Sequence, residues 1–172
     1  ITGANDKPVA NDDGNPDPIG FSTDEDTAFT TANALANDTD ADAGDTLSVS
    51  AVDTTGTLGL VVDNGDGTFD YNPNGAFEAL GVGGSATDSF AYTVSDGNGG
   101  SDTATVSVTL QGVNDNPDAI DDTAGTVEGT AVVINVLSDD SDPENDTLTV
   151  ASVGVAASGT PLINLDNTIT YT

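Results

Sequence analysis

The residues of this chain that could do chemistry are nearly all aspartates, and they come in two clusters of matching pattern. Asp38, Asp40, Asp42 and Asp45 stand in NDTDADAGDTLSV (37–49), and Asp140, Asp142, Glu144 and Asp146 in DDSDPENDTLTV (139–150). An Asx-rich stretch precedes each cluster: GANDKPVANDD (3–13) the first, GVNDNPDAIDD (112–122) the second. Alternate carboxylates on a loop make a partial oxygen shell, and calcium takes about six to eight oxygens at about 2.3–2.6 Å. Two carboxylates about 4–5 Å apart repel by roughly 3–4 kcal/mol at an effective dielectric near 20. Several in one loop would splay it, whereas a divalent ion reverses the sign and turns the cluster into folding energy. The competing reading is a solvated turn whose aspartates close Asx turns. Recurrence of the loop beside an Asx-rich linker favours the cation. An EF-hand does not fit, because Ala43 stands where that loop needs glycine and Val49 where it needs the bidentate glutamate.

Composition points the same way. The 172 residues include 30 acidic side chains, all but four of them Asp, against a single basic residue, Lys7, for a formal charge of −29. The counter-charge must come from outside. Nucleic acid and anionic membrane surfaces require a basic footprint that this chain lacks. Disorder predicts few β-branched residues, yet Val, Ile and Thr recur in alternating runs. With no Cys, Met or His there is no disulfide framework, zinc thiolate site or redox role. Paired carboxylates can cleave glycosidic bonds, but the eight aromatic residues read mostly as core, so the chain is not expected to be an enzyme. No apolar run approaches a membrane span.

An internal repeat organises the elements that must position these carboxylates. Asn5-Asp6 with Pro8 matches Asn114-Asp115 with Pro117, Asp12-Asp13 matches Asp121-Asp122, Glu25 matches Glu128, and GTFDYN (67–72) matches NTITYT (167–172). In the first copy, 5–111, strict alternation predicts strands with Phe90, Tyr92 and Val94 on one face, and Ala104, Val106, Val108 and Leu110 on one face. DGNGGSD (96–102) reads as their hairpin connection, and VVDNGDGTFDY (61–71) as a second hairpin. Earlier strands are expected near 28–34 and 47–52, and no helix is required. Short strands separated by turn signals over about 105 residues predict an all-β, immunoglobulin-like antiparallel β-sandwich. The second copy, 118–172, has no counterpart of 73–111. It is expected to leave Ile134, Leu148, Val150, Ile169 and Tyr171 open to water and to be unstable by itself. Residues 1–4 read as the tail of a preceding repeat and 112–117 as a linker.

Taken together, NDTDADAGDTLSV, the later DSFAYTVSDGNGGSDTATVSVTLQGVNDNPDA and their order resemble the bacterial cadherin-like and VCBS tandem repeats of large, type I secreted RTX-type surface adhesins. The resemblance covers one full repeat and about half of another. It implies calcium-clamped junctions between tandem sandwiches. Carried over by position, Asn114, Asp115 and Asn116 would be linker ligands, with Glu25 from the first copy and Asp140 and Asp142 from the second. At the junction ahead of the first copy the set would be Asn5, Asp6, Asp38, Asp40 and Asp96. Lys7 stands where the second linker has Asn116, which implies fewer ions there. The family's acidic pair ahead of the penultimate strand has no clear match; Glu78 and Asp88 stand nearest.

The function implied is that of a calcium-stiffened extender in a giant adhesin on the bacterial cell surface, supporting attachment and biofilm. Its partners would be adjacent repeats of the same polypeptide, with no nucleic acid and no direct membrane insertion. The alternative is a binding module for cell-surface polysaccharide or for another copy in calcium-dependent adhesion. Phe29 and Phe77, the aromatics outside strand alternation, are the ones available for sugar contact.

Overall fold

The computed structural model of the chain describes residues 3–14 and 20–172; Ile1 and Thr2, which belong to the expected tail at 1–4, lie outside the described residues. The chain divides into two units, Ile1–Asn114 and Asp115–Thr172.

In the first unit the alternating sequences become the two long central strands. β6 (Ser85–Ser95) and β7 (Ser101–Gln111) pair antiparallel along their whole length, from Ser85 opposite Gln111 to Ser95 opposite Ser101. Their inward residues Phe90, Tyr92, Val94, Ala104, Val106, Val108 and Leu110 are all buried, because side chains two apart on a strand share a face. β3 (Ser48–Asp53) joins the far edge of β6 through an irregular register between Val49 and Ala51, and β1 (Ser22–Asp24) joins β7, giving the order β1-β7-β6-β3. The second sheet is β2-β5-β4, made of β2 (Phe29–Thr30), β5 (Phe69–Asn72) and β4 (Leu60–Asp63). Phe69 is fully buried at the centre of the core, 4.9 Å edge-on from the Phe90 ring and 5.9 Å from that of Tyr92. Burying a side chain of this size contributes about 1.5–3 kcal/mol, and such ring pairs add about 0.5–1.5 kcal/mol each.

Two features depart from the sequence expectation. β1 runs parallel to β7, Ser22 opposite Thr109, and Asp13 makes a further parallel bridge to Val106. A parallel pair needs a crossover connection, and here the rest of the unit supplies it, so local pattern could not reveal it. The strand expected across 28–34 stops at Thr30, and a short 3-10 turn, Ala34–Asn37, follows. Asn33 caps that turn by accepting the Leu35 N–H at 2.9 Å, a local bond that competes with continued strand pairing.

The second unit holds one three-stranded sheet, ordered β8-β10-β9, from β8 (Val132–Ile134), β10 (Ile169–Tyr171) and β9 (Pro161–Ile163). It reproduces β2-β5-β4 of the first unit. None of the residues 115–172 is buried, and Ile134, Leu148, Val150, Ile169 and Tyr171 all remain partly exposed.

Candidate cation site in the acidic loops

Asp40, Asp42 and Asp45 converge, each offering a carboxylate oxygen within 4.8 Å of the others. The loop is held in this shape by its own polar groups. The Asp42 N–H donates to Asp40 Oδ1 at 2.7 Å, an Asx turn, and the Asp45 N–H donates to the Asp42 carbonyl at 3.2 Å. The linker locks onto it: Asp6 N–H donates to Asp42 Oδ2 at 2.7 Å, and Val9 and Thr39 exchange backbone bonds of 2.7 and 3.0 Å. Asn5 then reaches Asp96, its Nδ2 donating to Oδ2 at 2.8 Å. That bond comes first, and the N–H groups of Asn98, Gly100 and Gly99 follow, in holding the Asp96 carboxyl below the usual carboxylate range.

Two carboxylate oxygens in this loop, Asp40 Oδ2 and Asp45 Oδ2, are buried without a hydrogen-bond donor. Buried acceptors are ordinarily satisfied. The mutual repulsion of carboxylates within 4.8 Å is about 3–4 kcal/mol per pair at an effective dielectric near 20. Lys7 does not relieve it, because its Nζ pairs with Asp102 Oδ1 at 3.2 Å. The Ala10 N–H and then Lys7 hold the Asp102 carboxyl below its ordinary range. A divalent cation fits this donor set: oxygen ligands only, excess negative charge, and two unused buried lone-pair donors.

Asp38, expected in the same shell, turns the other way. Its Oδ1 accepts the Asn11 N–H at 2.7 Å and its Oδ2 lies 3.1 Å from the Tyr92 hydroxyl. That hydroxyl also lies 2.9 Å from Asp13 Oδ2, and one phenolic proton cannot serve both carboxylates. Burial pushes Asp13 up to about 6, against the lowering effect of the Tyr92 bond, and burial likewise raises Asp38. Burial, then the charges of Asp13 and Asp38, pushes the Tyr92 hydroxyl far upward.

Asp88 is a different kind of site. It is buried and collects the N–H groups of Leu58 (3.0 Å), Gly59 (2.8 Å) and Ser89 (2.9 Å) and the Tyr71 hydroxyl (2.7 Å). Its lone pairs are committed to the protein, so it is a staple between the sheets. Neither carboxylate cluster around a tyrosine was foreseen. The available signal was an aspartate in register with the inward face of β6, two residues before Phe90, and the doublet Asp12-Asp13 returning as Asp121-Asp122.

The ligands expected at the second linker divide between the units. In the first, Glu25 Oε1 accepts the Val113 N–H at 2.8 Å, and Asn114 is exposed. In the second, the Asp115 N–H donates to Glu144 Oε1 at 2.8 Å, the counterpart of Asp6 on Asp42. Asp142 Oδ1 accepts from Glu144 (3.1 Å) and Asp146 (3.0 Å), which shape the loop, while Asp140 Oδ1 accepts the Ile120 N–H at 2.8 Å as Asp38 accepts Asn11. Asn116 is exposed. The aromatics considered for sugar contact are elsewhere: Phe77 is buried in the core and Phe29 packs against it, 6.1 Å from Tyr71.

The profile of the bacterial cadherin-like domain matches residues 5–112. The chain belongs to the bacterial cadherin-like family. The profile of the bacterial Ig domain matches residues 114–172, so the cadherin-like domain is followed by a second β-module. None of the curated proteins matches the chain. Both matches point to an adhesin-type structural module at a surface or outside the cell, of a kind that is typically non-enzymatic. Among the described residues, no helix is long and apolar enough to cross a membrane.

Proposed function

We propose that the chain is a calcium-stiffened extender segment of a bacterial surface adhesin, with adjacent repeats of the same polypeptide as its partners. The observation that carries the reading is the loop of Asp40, Asp42 and Asp45, whose carboxylates converge with two buried oxygens lacking donors. Cadherin-like domains generally bind calcium, and this loop offers the oxygen chemistry that calcium requires. Asp40 and Asp45 would hold the ion through their unused oxygens, Asp42 would contribute alongside its bond from Asp6, and the ion would offset the repulsion among them. Because Asp6 lies in the linker and is tied to Asp42, calcium would fix the entry of the chain into the sandwich. A giant type I secreted adhesin supporting biofilm is the setting that the linker and hairpin motifs favour.

The test is thermal unfolding with light scattering in EDTA, in millimolar calcium and in millimolar magnesium. The extender reading expects a calcium-specific rise in the midpoint and a monomeric particle. An unchanged midpoint would return the carboxylates to a solvated surface, and calcium-dependent dimers would favour homophilic adhesion instead. Asp45→Asn is expected to weaken calcium binding at least tenfold by isothermal titration, since it removes charge from a site that the oxygens of three side chains define.

A further inference from the structure

The path of the chain through the first unit decides how that unit answers tension. The chain enters beside the β6–β7 hairpin, where Asn5 is bonded to Asp96 and Lys7 to Asp102 at the start of β7. It then follows β7 in the same direction in two stretches, 10–14 and 21–25. In the first stretch the Ala10 N–H donates to Asp102 Oδ2 at 3.1 Å, the Asp13 N–H to the Thr105 carbonyl at 2.9 Å and the Ser107 N–H to the Asp13 carbonyl at 3.0 Å. The Thr105 N–H donates to Asp12 Oδ1 at 2.8 Å, so a side chain fills a place in the ladder. In the second stretch the Thr109 N–H donates to the Phe21 carbonyl at 2.9 Å, β1 pairs with 109–111, and the Glu25 N–H donates to the Gln111 carbonyl at 3.1 Å. The chain then leaves at Gly112, where β7 ends.

Entry and exit therefore lie at opposite ends of a parallel pair. Tension through the two ends draws the entering chain toward the start of β7 and draws β7 the other way, so the strands are made to slide past each other. All the bonds across the pair are loaded at once. Had the two strands been antiparallel, entry and exit would share one end, and the same tension would open the bonds singly. Two features hold the register. The Asp13 carboxylate is buried, 2.9 Å from the Tyr92 hydroxyl, so the first stretch cannot slide without withdrawing it. Gly14, at φ +76°, lies so close to β7 that a β-carbon would overlap the Ser107 carbonyl oxygen.

We propose that the first unit bears load along the polypeptide through this parallel clamp, with 10–14 and 21–25 sheared against 102–111. The proposal rests on the extender reading for the source of the tension, since each domain of a tandem array passes force to the next through its two ends. It needs no cation, because every bond across the clamp joins two groups of the protein.

The chain contains no Cys, so a pair of introduced cysteines gives unique handles for single-molecule force spectroscopy on the whole chain. Gly3→Cys with Thr172→Cys loads the clamp in shear. Gly3→Cys with Asn98→Cys, both exposed positions at the entry end, peels the first stretch from β7 bond by bond. Both geometries are measured in EDTA at one loading rate, because forced unfolding is governed by a rate. A missing calcium response, which counts against the extender reading, and a failed force comparison are thus separate results. The first unit is expected to yield at a force at least twofold higher end to end than the force that starts the peeling. Asp12→Ala deletes the acceptor of the Thr105 N–H from an exposed side chain. Thr23→Pro acts at the centre of β1: Phe21 and Glu25 both bond to β7 through their backbone, so Thr23, midway between them, faces β7 as well, and proline removes its N–H. Proline is tolerated on an edge strand, which keeps the variant folded. Each substitution is expected to lower the end-to-end force by a third or more and to change the peeling force less. The proposal is overturned if the end-to-end force is no higher than the peeling force, if both variants leave it unchanged, or if they lower the two forces in equal proportion, the mark of a general loss of stability.

Discussion

Asp13→Asn should make the first unit more stable at neutral pH than the parent chain, and the gain should vanish in acid. The Asp13 carboxyl is buried, shares the Tyr92 hydroxyl with Asp38 and is pushed up to about 6 from an ordinary 3.8. A group whose folded pKa is raised stabilises the fold below its unfolded value and loses that contribution as pH climbs through the folded value. The window is therefore about pH 4 to 6. A tenfold change in proton affinity corresponds to about 1.4 kcal/mol, so the shift from 3.8 to about 6 is worth about 3 kcal/mol across the full range. Asparagine has the same shape, still accepts from Tyr92 and carries no charge at any pH. Urea unfolding of both proteins at pH 4 and pH 7.5, in EDTA throughout, isolates the effect, because every other acidic group is common to the two. The stability difference should move in favour of Asp13→Asn by about 2–3 kcal/mol between the two pH values. A difference constant within about 0.5 kcal/mol, or one moving the opposite way, would refute the raised proton affinity of the buried Asp13 carboxyl.

Asp88→Ala strands the Tyr71 hydroxyl and the N–H groups of Leu58, Gly59 and Ser89. At about 1–3 kcal/mol for one buried unsatisfied group, chemical denaturation should show a loss of about 3 kcal/mol or more. Gly59→Ala places a β-carbon 2.5 Å from the Tyr71 ring and should cost about 1–3 kcal/mol by the same assay. Phe69→Ala removes the ring on which Phe90 and Tyr92 pack. It should cost about 3–5 kcal/mol, and no loss would show that the core lies elsewhere.

Periodicity along the chain is enough for the sandwich, its two long strands and the acidic loops. Alternation at 85–95 and 101–111 admits one buried face, and Asn-Gly, Asp-Gly and Gly-Gly pairs leave little choice of turn. The sequence also places Asp40, Asp42 and Asp45 in one loop, because their spacing along the chain is short. What it could not determine depends on contacts between distant residues. Asp38 reads as a loop ligand until Tyr92, from a strand more than fifty positions later, offers it a hydroxyl. Asp88 reads as no more than a near stand-in for the family's acidic pair until the loop at Leu58 and Gly59 folds over it with its N–H groups. The parallel seat of β1 on β7 depends on the path of the entire unit. Carboxylates close in sequence meet by local geometry, whereas those that bury themselves do so only where tertiary structure brings donors to offset their desolvation.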